Sequence, residues 1–440
     1  MISRRVQYEL AGRVAAPFLT KLDQWQAARK TKHPKRPTSG LFGPPLESAR
    51  ALKALMTSYY LRGRYADGAV PVAWVTSGFP FEPLEQLGYF IIYPENHAAL
   101  CGARKLVPKI SAAAEQEGFS LDLCSYARTD LGNVLKQATP VGRLPKPDLL
   151  CCSTNICQTV LHWYRNLADY LKAPLVLVDT PFIYHASPEH HLQYVVDQLE
   201  EMIAVAEGIA GRKLDRQQLV EVLARSREGS MLWRECLATG RAHPSPWTGF
   251  DTFFHIAPIV TMRGTDKCNA YYRHLLDELR DRVAKGIGGI ARERIRLLWD
   301  NLPIWFNVRE LSALLAERGF NFVCATYSNA WAEAGCSIQL GEPIPSMAKA
   351  YLEVYLNRDL ANRLETMKQL AREFDVQGAV LHSDRSCKPY SVGQIDVKER
   401  LASDLGIKAL VLEADHCDQR LYSEEQGKTR LQAFMESFDG

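Results

Sequence analysis

Eight short apolar runs, arranged in two series of four, constrain this chain more than any other feature. The first series is PVAWVT, YFIIYP, PDLLCCS and APLVLVD, and the second is RIRLLWD, NFVCATY, VQGAVLH and ALVLEAD. Each run is too brief for a helix and is bounded by loops or by stretches with apolar residues every three to four positions, so each reads as a buried strand. Strands that alternate with helices imply parallel sheets covered on both faces. The pattern therefore predicts an α/β chain with two Rossmann-like parallel-sheet domains. Residues 1–66 read as a helical N-terminal segment and 67–187 as the first α/β domain. Residues 188–289 read as a helical layer and 290–440 as the second α/β domain. The layer is predicted to join the two units and to lie outside the cleft between them. The architecture repeats; the sequence does not.

The remaining totals mainly exclude. At 440 residues with 47% hydrophobic content, the chain has ample core for two or three compact units. A formal net charge of +3, with both signs interspersed, leaves no basic footprint for nucleic acid or a membrane surface. The one locally basic stretch, Lys30 to Arg36, carries Pro34 and reads as a solvated linker. No apolar run approaches the roughly 18–20 residues that cross a bilayer, and Met1 to Leu22 lacks a signal-peptide core, so a cytoplasmic location is expected. Neither a GxxxxGK[ST] loop nor a GxGxxG after a strand occurs, which argues against ATP or NAD binding on this chain.

Eleven cysteines are then notable, because a reducing cytosol does not favour structural disulfides and an odd count cannot pair fully. In open parallel sheets, ligands collect at loops outside the carboxyl ends of strands. Cys124 in FSLDLCSYARTD, Cys157 in DLLCCSTNICQTVLHWY and Cys387 in VQGAVLHSDRSCKPYSVGQ are all predicted just beyond a strand. Three thiolates from separate loops suit a soft-metal or iron–sulfur site with one open corner. The spacing alone, with no CxxC pair, leaves buried free thiols as the alternative. Cys236, Cys268, Cys324, Cys336 and Cys417 read as core, while Cys101, Cys151 and Cys152 are close enough in sequence to line the same pocket.

The strings GFPFEPLEQLG, YPENHAALCGA, CSYARTDLG, CCSTNICQTVLHWY, HSDRSCKPYSVGQ and LEADHCDQR, in that order, resemble signatures of the benzoyl-CoA reductase and 2-hydroxyacyl-CoA dehydratase family over roughly residues 70–435. The resemblance implies that Cys124, Cys157 and Cys387 hold a [4Fe–4S] cluster. Chain length and the wording of HSDRSCKPYSVGQ are most similar to the larger cluster-bearing subunit of the ATP-dependent benzoyl-CoA reductase. The family further implies a second related cluster subunit, a separate iron–sulfur ATPase and reduced ferredoxin as the electron source. The implied reaction is dearomatisation of benzoyl-CoA or an analogue to a cyclic dienoyl-CoA. The alternatives are 2-hydroxyacyl-CoA dehydration through a ketyl radical and a non-catalytic scaffold or electron relay.

Other polar groups fall inside the matching strings: His97, His162, His382, His416, Glu82, Glu95 and Asp384. Of these, His382, five residues before Cys387 at a strand end, is the candidate catalytic group, with a hydrogen bond to the cluster as its other reading. His162 reads as a packing histidine. Trp74, Phe79, Phe81, Trp163, Tyr164, Trp305 and Trp331 are candidates to wall an apolar pocket. Ser77, Gly78 and Phe79 follow a strand directly and are placed to approach a ligand through their backbone.

Overall fold

The computed structural model describes residues 3–15, 17–19 and 40–439. The Lys30 to Arg36 stretch lies outside the described residues. All eight apolar runs form strands. In the first sheet these are β1 (Val72–Val75), β2 (Phe90–Ile92), β3 (Leu149–Ser153) and β4 (Leu175–Val178). In the second they are β5 (Ile295–Asp300), β6 (Phe320–Ala325), β7 (Gly378–Asp384) and β8 (Lys408–Ala414). Every pairing is parallel, and the two sheets share one spatial order, β2-β1-β3-β4 and β6-β5-β7-β8.

Burial on both faces explains why β1 to β3 and β5 to β7 read as unbroken apolar runs rather than as alternating ones; the edge strands β4 and β8 are only partly buried. Cys151 and Cys152 show it directly. They are adjacent in β3, both have no exposed surface, and they enter different cores, one on each face of the sheet. One of those cores takes Trp74 and Leu150 from the first sheet together with Leu297, Trp299, Val380 and Leu412 from the second. The two sheets are thus packed through shared apolar surface.

The strand order places a topological switch between β1 and β3 in the first sheet and between β5 and β7 in the second. From β1 the chain moves to one side, and from β2 it crosses back to the other. The loops leaving the carboxyl ends of neighbouring strands therefore diverge there and open a crevice. Ser77 and Gly78 leave β1 and Cys157 follows β3; Leu302 leaves β5 and Cys387 follows β7. All five line one cavity.

Two sequence expectations need correction. FSLDL before Cys124 is not a strand. Gly118, at φ 92°, follows the helix Val107–Gln116, and Ser120 then folds a turn by accepting the Asp122 amide through its hydroxyl (3.1 Å) and the Leu123 amide through its carbonyl (3.1 Å). Nor does the helical layer stay outside. The helices Gly249–His255 and Ala257–Thr261 turn Phe253, Ile256, Ala257 and Val260 onto the cavity and form one of its walls.

The helix that follows Cys124, Ser125–Lys136, is bolted to the second domain by a buried ion pair. Arg128 donates through Nη1 to Asp418 Oδ2 at 3.0 Å and to Glu115 Oε1 at 2.8 Å, and neither Arg128 nor Asp418 has exposed surface. Removing one partner of such a pair leaves the other charged and desolvated, at a cost of about 3–5 kcal/mol. Arg420 also reaches Asp418, at 2.6 Å, so Arg128→Met is expected at the lower end of that range. Chemical denaturation measures it; a midpoint equal to the wild type's would show that the pair contributes nothing to joining the domains.

Candidate active site

The cavity has a volume of about 660 Å3 and is walled largely by aromatic and aliphatic side chains. Cys124, Cys157 and Cys387 all reach it. Each stands at the start of a helix, where the chain turns sharply. Cys124 is the N-cap of Ser125–Lys136, Cys157 precedes Thr159–Leu171, and Cys387 is the N-cap of the short helix Lys388–Ser391. Two of the loops belong to the first domain and one to the second.

The thiols are half-buried against the cavity. Burial pushes the Cys157 thiol up to about 12, with Cys124 adding to the rise and the Val160 and Thr159 amides opposing it. Burial likewise holds Cys387 well above its ordinary value, reinforced by Asp384, Cys124 and Cys157. That Cys124 raises Cys157, and that both raise Cys387, reflects their convergence. A thiolate at these positions needs a cationic centre to offset its desolvation. Among the described residues, ligand atoms that close within 4.8 Å of one another occur at Asp384, Asp415 and His416. The three thiols stand further apart than a single ion would draw them. Soft sulfur donors, spread over three loops and desolvated, fit a polynuclear iron–sulfur centre better than one zinc ion.

The Asp384, Asp415 and His416 group is a hydrogen-bonded network rather than a vacant cation site. His416 Nδ1 lies 2.7 Å from Asp384 Oδ2, and its Nε2 lies 2.9 Å from Ser125 Oγ and 3.9 Å from Cys124 Sγ. Asp415 accepts from the Ser386 hydroxyl at 2.5 Å and from the Cys417 and Asp418 amides at 2.8 and 2.7 Å. Ser386 Oγ in turn accepts the Ser125 amide at 3.2 Å. Burial alone would lower the His416 pKa, but Asp384 and Asp415 outweigh it and hold the imidazole well above its ordinary value. The loop bearing Cys124 is thereby stitched to the second domain, with a cationic imidazole against its sulfur.

Glu95 completes the polar part of the site. It sits in the first turn of the helix Pro94–Ala103, buried at the cavity wall, and accepts the Ser77 amide through Oε1 at 2.9 Å. Its Oε2 is buried without a hydrogen-bond partner. Burial pushes its carboxyl up to about 7, against the lowering effect of the Ser77 amide. Gly78 beside it is required by close approach, since a Cβ there would stand 2.6 Å from Asn155 Oδ1 and 2.8 Å from Ile156.

The other residues singled out in the sequence distribute unevenly. Trp163, Trp305 and Trp331 line the cavity, Trp163 being held by an indole N–H to Asp130 at 2.9 Å. Trp74, Phe79, Phe81 and Tyr164 are buried in the cores instead. His382 lies inside β7, off the cavity wall, with Nδ1 against the Leu302 carbonyl at 2.7 Å and its pKa lowered by burial. His97 is buried beside Thr139, at 2.6 Å, also off the wall, and Glu82 is held by Ser226, Tyr351 and Arg263. His162 is exposed on its helix rather than packed. Cys101, Cys151 and Cys152 are buried away from the cavity, as are Cys236, Cys268, Cys324 and Cys417.

The histidine whose ring reaches a cavity thiol is His416, 3.9 Å from Cys124 Sγ, and sequence reasoning did not set it above His382. The signal was present. His416 follows the carboxyl end of β8, where ligands collect, whereas His382 falls within its strand.

Fold and site together define a class: an α/β protein with paired parallel sheets whose switch points open on one cavity bearing three thiols. A family model described as 2-hydroxyglutaryl-CoA dehydratase, D-component, matches residues 65–438, and the chain belongs to that family. The (R)-2-hydroxyisocaproyl-CoA dehydratase alpha subunit of Clostridioides difficile is 32% identical over 83% of this chain and 90% of its own. The (R)-phenyllactyl-CoA dehydratase alpha subunit of Clostridium sporogenes is 31% identical over 83% and 89%. A subunit of the benzoyl-CoA reductase of Thauera aromatica is 29% identical over 79% and 83%.

Proposed function

We propose that this chain is the iron–sulfur subunit of a radical-type enzyme acting on an aromatic acyl-CoA, with dearomatisation of benzoyl-CoA or an analogue as the first reading. The observation that carries it is the convergence of Cys124, Cys157 and Cys387 on a cavity walled by Trp163, Phe253, Trp305, Tyr327, Trp331 and Tyr390. Cys124, Cys157 and Cys387 would hold a [4Fe–4S] cluster. When bound, such a cluster would supply low-potential electrons next to the substrate. The chain's own groups do the rest. The aromatic walls exclude water and oxygen, which would quench a ring radical. Glu95, whose carboxyl burial raises to about 7, lies at the cavity wall and carries a transferable proton below that pH. His416 fixes the Cys124 loop and offers a positive charge to its sulfur.

Reduction of the ring to a cyclic dienoyl-CoA consumes two electrons and two protons. A ferredoxin, through a separate iron–sulfur ATPase, is the electron source in this reading, and a second related cluster subunit completes the complex. A second reading, dehydration of an (R)-2-hydroxyacyl-CoA, is favoured by the names of the relatives at 31–32% identity. Anaerobic assay of the complex separates them by product. Benzoyl-CoA should yield a dienoyl-CoA with stoichiometric consumption of electrons. Conversion of (R)-phenyllactyl-CoA to an enoyl-CoA with only catalytic electrons, and no turnover of benzoyl-CoA, would overturn the first reading in favour of the second.

A further inference from the structure

We infer that Arg64 and Arg104, at the mouth of the cavity, hold the phosphates of a CoA thioester whose pantetheine arm runs along the helix Pro94–Ala103. The inference rests on the acyl-CoA reading above and assigns the end of the cavity opposite the thiols.

The two arginines arrive from different elements, Arg64 just past the helix Ser48–Gly63 and Arg104 just past Pro94–Ala103. Both are anchored on one turn. Arg64 donates through Nε to the Val141 carbonyl at 2.5 Å, and Arg104 donates through Nη1 to the adjacent Pro140 carbonyl at 3.4 Å. Gly142, at φ 93°, leaves the space the Arg64 guanidinium fills; a Cβ there would overlap it. Consecutive carbonyls thus hold two guanidinium groups side by side. No carboxylate among the described residues pairs with either. The nearby Arg143 is already engaged with Asp67 at 2.7 Å. Two guanidinium groups held together without a carboxylate favour an anion between them, and their forks match phosphate oxygens.

The helix between rim and thiols supplies the length. Glu95, Asn96, Ala99, Leu100, Ala103 and Arg104 all face the cavity at helical spacing. At a rise of 1.5 Å per residue, Glu95 and Arg104 are about 13 Å apart along the axis. That separation is comparable with an extended pantetheine arm. Between them the wall is mostly apolar, with Met56 and Leu61 opposite and one polar station where Asn96 Nδ2 donates to the Tyr60 hydroxyl at 2.8 Å. The acyl group would then lie beside Glu95 and the thiols while the nucleotide stays at the rim.

The test compares two thioesters on the anaerobically purified complex: the acyl-CoA and the same acyl group on pantetheine, which lacks the phosphates. Arg64→Gln and Arg104→Gln should each raise KM for the acyl-CoA roughly tenfold, the size expected for a lost charge-assisted bond. They should leave KM for the pantetheine thioester and the iron content unchanged. Equilibrium dialysis should show CoA bound more tightly than inorganic pyrophosphate, and each variant should weaken the binding of CoA. Unchanged KM for the acyl-CoA, or an equal rise for both thioesters, would overturn the rim assignment while the acyl-CoA reading stood. Pyrophosphate bound as tightly as CoA would make the rim a general polyphosphate site and overturn it too. A wild-type complex that neither binds CoA nor turns over any acyl-CoA would remove the acyl-CoA reading itself.

Discussion

Cys124→Ala, Cys157→Ala and Cys387→Ala are each expected to abolish turnover and lower iron content, whereas Cys236→Ala and Cys268→Ala should do neither. The wild-type protein, isolated without oxygen, should carry about four irons and four sulfides per chain. Removing a cavity thiol deletes a metal–sulfur bond from a site whose three donors come from three separate loops, so no neighbour on the same loop replaces it. The control thiols differ in kind. Cys236 Sγ approaches the Tyr272 carbonyl at 3.7 Å and Cys268 Sγ the Pro258 carbonyl at 3.5 Å, both within apolar core. Truncating them leaves a small cavity costing on the order of 1 kcal/mol. Instability therefore cannot reproduce the pattern. Iron and sulfide analysis on folded, monodisperse variants decides it: full iron and normal activity in Cys157→Ala would strike that residue from the ligand set.

The strands and the cysteines were legible for different reasons. Buried strands of a parallel sheet carry an apolar side chain at nearly every position, so β1 to β3 and β5 to β7 stand out as runs bounded by polar loops. The cysteine loops follow from the rule that ligands gather beyond strand ends, and for Cys157 and Cys387 the strand is there. Cys124 reaches the same cavity without a strand before it. FSLDL is apolar enough to read as a strand, but the left-handed Gly118 and the Ser120 turn take its backbone out of any ladder. What sequence cannot display is which side of a helix faces a cavity. Phe253, Ile256 and Val260 form an apolar stripe whether it meets core or an empty pocket, so the helical layer reads as a cover when it is a wall. His416 is hidden differently. Its role depends on Asp384 and Ser125, which lie 32 and 291 residues away, and no local pattern announces such a meeting.

Glu95→Gln is expected to lower turnover by roughly 10²–10⁴-fold, the usual range for a positioned proton donor, with the iron content intact. The expectation follows from what holds the carboxyl. Burial raises its pKa to about 7, so below that pH it is neutral and carries a proton, and above it becomes a carboxylate. The Ser77 amide fixes Oε1, and Oε2 is buried with no hydrogen-bond partner among the described residues, so nothing there competes for its proton. A donor in this position makes turnover fall as pH rises through about 7. Glutamine keeps an oxygen for the Ser77 amide, so the loop after β1 should stay in place while the transferable proton is lost. The variant's residual rate should therefore show no inflection near pH 7. Measuring kcat against pH for both forms, under anaerobic conditions, tests size and sign together. A wild-type profile that rises through pH 7 would make Glu95 a base and overturn the donor role, and an unchanged inflection in Glu95→Gln would assign the titration to another group.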